Sequence, residues 1–165
     1  MFNQRRTWEG KINLGKNFMW RISPNKGEIL LNNVDIKNFD FRDYILYVDQ
    51  KPNIIDGDLK DNINFYRNEM GKKIDLTLFN INKKSSDKVS DNDGLSGGEM
   101  MRISLLRSLV KTRPIMIYDE PTASLDDKNP KEVLEKLLSL YQTVIIITHK
   151  IDEEMLNKFD EIIEI

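Results

Sequence analysis

Short apolar runs, rather than helical stripes, dominate the second half of the chain. Ile115-Met116-Ile117-Tyr118 and Val144-Ile145-Ile146-Ile147 are rich in β-formers and bounded by polar residues. Runs of this length read as buried strands of a mostly parallel sheet. Tyr44 to Val48 predicts a third strand and Glu161 to Ile165 a fourth. Glu28 to Asn32 predicts a more exposed strand, followed by a polar turn. Helices are expected between them. Gly98 to Lys111 sets Ile103, Leu106, Leu109 and Val110 on one helical face. Pro130 to Leu140 carries Val133, Leu137, Leu138 and Leu140, and Pro130 suits a first helical turn. Ile151 to Phe159 reads as another helix. Asn82 to Gly94 is polar and reads as a loop leading to Gly97 and Gly98. Strands alternating with helices predict an α/β fold.

Composition narrows the chemistry. A chain of 165 residues is long enough for one domain with a real core. Hydrophobic residues at 39% and charged residues at 32% are ordinary for a globular protein. A net charge of −2 gives no general reason to expect a nucleic-acid or anionic-membrane surface. With no cysteine, disulfides, thiolate metal sites and cysteine nucleophiles are excluded. The one histidine, His149, rules out multi-histidine metal sites. No run approaches the ~18 apolar residues of a membrane span. The basic start, Met1 to Arg6, is not followed by the apolar core of a signal peptide. A membrane role would place the spanning part on another chain or outside this one.

Two segments carry candidate chemistry. The strand Ile115 to Tyr118 runs into two adjacent acids, Asp119 and Glu120. In open α/β sheets, ligands sit beyond the carboxyl ends of strands. Two carboxylates there can divide labour, one holding a magnesium ion and one polarising a water. The plain alternative is a solvated strand end. Leu95-Ser96-Gly97-Gly98-Glu99 precedes a helix, where small residues expose backbone N–H groups at its positive end. The plain alternative is a helix start capped by Ser96.

Taken in order, the motifs resemble one family. Leu95 to Glu99, Arg102-Ile103 and Arg107, Asp119-Glu120-Pro121-Thr122, Ser124-Leu125-Asp126 and Thr148-His149 are similar to the ATP-binding cassette (ABC) family. The first segment matches its signature motif, with Glu99 where glutamine is commoner. The strand and its acids match Walker B. Ser124-Leu125-Asp126 matches the D-loop, and His149 the switch histidine. Gln50, beyond the strand that ends at Val48, matches the Q-loop. Ile55 to Ile63 is similar to a pattern of exporter-type cassettes.

The resemblance implies a P-loop NTPase-like α/β fold with a mostly parallel sheet and flanking helices. Residues 10–50 and 112–165 would form the sheet core, and about 51–111 a small helical subdomain carrying the signature. It implies ATP and Mg2+ as ligands. Asp119 would hold the metal, with Gln50 and Asn17 contributing. Glu120 would activate the attacking water, with His149 and Gln50 assisting. Ser96, Gly97 and Gly98 would grip a nucleotide bound mainly by a second cassette, and Asp126 would couple the two halves. The implied partners are that cassette and the transmembrane domains of a transporter, at the cytoplasmic face of a membrane, with no nucleic acid.

The phosphate loop departs from the family pattern. The candidate, Gly10-Lys11-Ile12-Asn13-Leu14-Gly15-Lys16-Asn17, keeps Gly10, Gly15 and Lys16 at the right spacing. Asn17 replaces the hydroxyl that would bind magnesium. Lys16 to Gly27 leaves room for only about two helical turns, with Pro24 stopping the helix. Two readings follow. An active ATPase is favoured by the intact Glu120 and His149 pair. A degenerate cassette that contributes its signature in trans is favoured by Asn17. A cassette ATPase acting on DNA or ribosomes is disfavoured, because no basic cluster is present.

Overall fold

The computed structural model describes residues 27–28, 30–31, 33–35, 43–64, 75–90, 94–125 and 130–164. Strands β1 (Leu30–Leu31) and β2 (Val34–Asp35) pair antiparallel. The chain reverses at Asn33, whose φ of 63° is left-handed. Asparagine tolerates that region better than most side chains. Of the expected strand Glu28 to Asn32, Leu30 and Leu31 pair in β1, and the polar turn expected after it falls at Asn33.

Strand β3 (Ile45–Val48) begins the main sheet. After it come β4 (Gly57–Asp58), helix α1 (Leu59–Asn64), a 3₁₀ turn at Leu76–Phe79 and β5 (Lys88–Val89). β4 and β5 pair antiparallel, and Lys88 Nζ lies 2.6 Å from Asp58 Oδ1. The segment 82–94 is thus not all loop. Its polar composition conceals a two-residue strand, held by pairing and by Val89, which is buried in the core.

Helix α2 (Gly97–Val110) follows, then β6 (Ile115–Asp119), α3 (Pro130–Leu138), β7 (Thr143–Ile147) and α4 (Glu153–Leu156). The main sheet is parallel in the order β3-β6-β7. Val48 lies opposite Tyr118, and Asp119 opposite Ile147. β6 is central, with Met116 to Glu120 all buried. This is why its run is continuously apolar. β7 reads the same in sequence but is half exposed, with Ile145 at 37%. Among the described residues it pairs with one strand, β6.

Two expected elements change. Residues 161–164 form no strand, and Ile162 and Ile163 are exposed. Apolar residues favour a strand only where a partner ladder receives them. The helix expected over Ile151 to Phe159 is a single turn, capped by the Asp152 side chain on the Met155 N–H.

Helix α2 is buried on more than one face. Met101, Ile103, Leu105 and Leu106 join Val48, Leu59, Phe79 and Tyr118 in one core. Burying each such side chain stabilises the fold by about 1.5–3 kcal/mol. Ser108 Oγ donates to the Leu105 carbonyl at 2.6 Å and so accepts from Tyr118 Oη at 3.1 Å. Burial pushes the Tyr118 phenol up to about 12. An acid whose folded pKa is raised stabilises the fold below its unfolded pKa and loses that stability as pH rises. Between pH 10 and 12 the chain should therefore lose about 2–3 kcal/mol through Tyr118. Tyr118→Phe should flatten the difference in Tm over that window, while Ser108 keeps its bond to Leu105.

The start of α2 packs on the segment after β6. A Cβ on Gly98 would lie 2.9 Å from the Ser124 carbonyl oxygen, which is backbone and cannot swing away. A Cβ on Gly97 would meet only the Ser124 side chain, at 3.4 Å. Gly98→Ala should cost about 1–3 kcal/mol, as overpacking does. Gly97→Ala should be close to neutral. Urea denaturation of the two variants checks the contrast, which equal costs would contradict.

Candidate active site

Asp119 ends β6 and Glu120 turns the chain out of the sheet. Both are nearly buried, at 6% and 7% exposure. Glu120 has a φ of 48°, a region that costs a non-glycine residue about 1–3 kcal/mol. Backbone bonds hold it there. Its N–H donates to the Ile147 carbonyl at 2.8 Å, and its carbonyl accepts from the Ala123 N–H at 3.1 Å. The resulting turn lifts the carboxylate toward the end of β7. Glu120 Oε1 lies 2.5 Å from His149 Nδ1, and Glu120 Oε2 accepts from Thr148 Oγ1 at 3.3 Å. An acid and an imidazole thus meet at the carboxyl edge of the sheet, 29 residues apart in sequence. This pair can orient a water and manage its proton.

Asp119 is held from the neighbouring strand. Tyr47 Oη donates to Asp119 Oδ2. Tyr47 pairs in register with Ile117, so Tyr47 and Asp119 stand on the same face of the sheet. Gln50 lies two residues beyond Val48, exposed in the loop after β3. No described hydrogen bond joins it to Asp119 or Glu120. Among the described residues, no three acidic or histidine side chains converge as a metal cage. Hard carboxylate oxygens at a strand tip still fit Mg2+, which takes one or two carboxylates together with substrate phosphates.

The glycine turn is a well-made helix start. Ser96 Oγ accepts from the Glu99 N–H at 3.1 Å, and Glu99 Oε2 accepts from the Ser96 N–H at 2.9 Å. This reciprocal capping box gives Glu99, where the family more often has glutamine, a local structural task. The Ser96 backbone N–H holds the Glu99 carboxyl below its ordinary value, with Lys83 adding a smaller pull. The plain reading of Ser96 as a cap is therefore met. Capping leaves the amides of Gly97 and Gly98 at the positive end of α2, on a turn packed close to Ser124.

The structure brings together Asp119, Glu120 and His149, and separately Ser96, Gly97 and Gly98 with Ser124. Gly10, Gly15, Lys16, Asn17 and Asp126 lie outside the described residues. Sequence reading gave no role to Tyr47 or Thr148. Tyr47 becomes visible only through its register with Ile117. Thr148 could have been noticed as the hydroxyl beside the histidine.

Comparison with known proteins gives the family and the fold. The sequence model of the family described as ABC transporter matches residues 9–123. The chain is 31% identical over 157 residues to the transport/processing ATP-binding protein ComA of Streptococcus pneumoniae, covering 86% of this chain and 22% of that protein. It is 32% identical to the lactococcin-A transport/processing ATP-binding protein LcnC of Lactococcus lactis, again covering 86% of this chain and 22% of the relative. An ATP-dependent lipid A-core flippase of Francisella novicida is 30% identical, covering 86% of this chain and 28% of the relative. The chain thus spans under a third of the length of these curated relatives. In fold it is similar to a bacterial Atm1-family ABC exporter with ATP bound, with TM-score 0.71, 24% identity, and 86% of this chain and 27% of that one covered. It is also similar to the dimeric ATP-binding cassette MJ0796 bound to ADP and Pi, with TM-score 0.69, 22% identity, and 90% of this chain and 73% of that one covered. With its family match over more than half its length, its parallel sheet and its acids at the strand tip, this chain belongs to the ABC transporter family, as an α/β ATP-binding cassette.

Proposed function

We propose that this chain binds and hydrolyses ATP as the motor cassette of a membrane exporter. The observation that carries the reading is Glu120, nearly buried at the tip of the central strand with its carboxylate 2.5 Å from His149. Glu120 accepts a hydrogen bond from the attacking water and takes its proton. His149 and Thr148 fix the orientation of that carboxylate. Asp119, steadied by Tyr47, would hold Mg2+, with Gln50 and Asn17 as the further ligands the reading assigns. When bound, Mg2+ neutralises charge on the β- and γ-phosphates. Gly10, Gly15 and Lys16 cradle those phosphates with backbone amides and one cation. With Nδ1 kept on Glu120, the other ring nitrogen of His149 is the one that would contact the γ-phosphate.

Ser96, Gly97 and Gly98 complete the site of a second cassette, and Asp126 couples the two. Residues 10–50 and 112–165 serve as the sheet core, and about 51–111 as the helical subdomain. Among the described residues, no helix is long and apolar enough to cross a membrane. On this reading the spanning domains belong to another part of the assembly, with this cassette at the cytoplasmic face. Relatives named as transport ATP-binding proteins and a flippase support this direction, as does the exporter-like Ile55 to Ile63 pattern. The degenerate alternative draws no support from those relatives.

Equilibrium binding of magnesium-ATP to the full chain should be measurable and should disappear in Lys16→Ala. In the assembled transporter, Glu120→Gln should lower turnover by about 10²–10⁴-fold, the usual contribution of a general base. ATP should remain bound in that variant. Undiminished hydrolysis by Glu120→Gln, or no nucleotide binding by the unsubstituted chain, would count against the reading.

A further inference from the structure

Arg107 projects from the side of α2, far along the chain from the segment it touches. Its Nε donates to the Asn62 carbonyl at 2.7 Å, and its Nη1 donates to the Asn53 carbonyl at 3.0 Å. Those two carbonyls bracket the stretch 53–62, which contains β4 and the start of α1. The middle of the stretch is tied by Asn62, a side chain with no exposed surface. Asn62 Oδ1 accepts from the Ile55 N–H at 2.8 Å. Its Nδ2 donates to the Ile55 carbonyl at 2.7 Å and to the Asp58 carbonyl at 3.3 Å. One guanidinium and one amide thus replace the ladder bonds that an irregular segment lacks.

The choice of residue is specific. A guanidinium is a planar fork that can reach two carbonyls at once, whereas an ammonium is a single point. Burying a cation is costly unless it is hydrogen-bonded, and burial lowers the Arg107 guanidinium to about 10. It stays charged near neutral pH. The stretch it holds begins three residues beyond Gln50. The helix it stands on begins with Ser96-Gly97-Gly98.

We propose that Arg107 is a positioning residue that locks the stretch 53–62 to α2, so that the loop carrying Gln50 and the signature turn move as one body. Displacement of that loop by a spanning partner would then be delivered directly to the glycines at the start of α2. The strut's part in turnover rests on the cassette reading of Gln50, whereas the strut itself can be measured without it.

Hydrogen exchange of the full chain reads the strut. In Arg107→Gln, the amides of Ile55 and of residues 59–63 should exchange at least about tenfold faster, with Met116 to Tyr118 in β6 unchanged. Arg107→Lys should fall between the two, and it serves as the test should Arg107→Gln not fold. Magnesium-ATP affinity should stay within about threefold, since a tenfold change would need about 1.4 kcal/mol at the nucleotide. In the assembled transporter, stimulation of turnover by the spanning domains should be lost while basal turnover persists. Equal acceleration of the β6 amides would reduce Arg107 to a general stabiliser and overturn the proposal. Unchanged exchange at 55–63 would do the same. Normal strut behaviour in a chain that binds no nucleotide would sink the cassette reading alone.

Discussion

The bond from the Glu120 N–H to the Ile147 carbonyl closes the carboxyl edge of the sheet. On one side of it the chain leaves β6 in a left-handed conformation that glutamate would not choose. On the other side β7 ends and delivers Thr148 and His149. Without that bond the turn at Glu120 would relax toward extended backbone, and its carboxylate would lose its seat beside the imidazole. The strain is small compared with the burial of Met116, Ile117 and Tyr118 just behind it. A well-packed strand can therefore hold a poor backbone angle at its tip, and functional groups are often found where this happens.

Helix α2 is the common neighbour of several segments. Its back rests on β6 through Ser108 and Tyr118. Its start touches Ser124 through Gly98, and its flank holds the stretch 53–62 through Arg107. Three separate segments thus share one rigid rod. A residue on such a rod answers to several contacts at once, which explains burial around most of its circumference rather than along one stripe.

Much of this was legible in the sequence. Ile115 to Tyr118 and Val144 to Ile147 announced themselves by length, β-branching and polar flanks, each within one residue of the strand that forms, and the acids at 119 and 120 marked the ligand edge. The order of motifs made the family readable. What stayed hidden depended on pairing. Lys88–Val89 is short and set in a polar stretch, and pairing with Gly57–Asp58 together with burial of Val89 makes it a strand. Ile162 and Ile163 look like a strand but meet no described ladder. Tyr47 became a partner of Asp119 only through register, which a single chain does not display. Arg107 and Asn62 stood inside recognised patterns, yet their shared hydrogen bond crosses 45 residues.

The capping box at Ser96 and Glu99 has an electrostatic corollary. A bare helix start presents about half a positive charge. Here a full carboxylate is fastened onto that start, and an amine 3.7 Å away, on Lys83, offsets it. The polarity of this end is consequently a balance among three contributors instead of a property of the helix alone. Two of the three are side chains on the surface, within reach of dissolved ions, so the balance shifts with the salt around it.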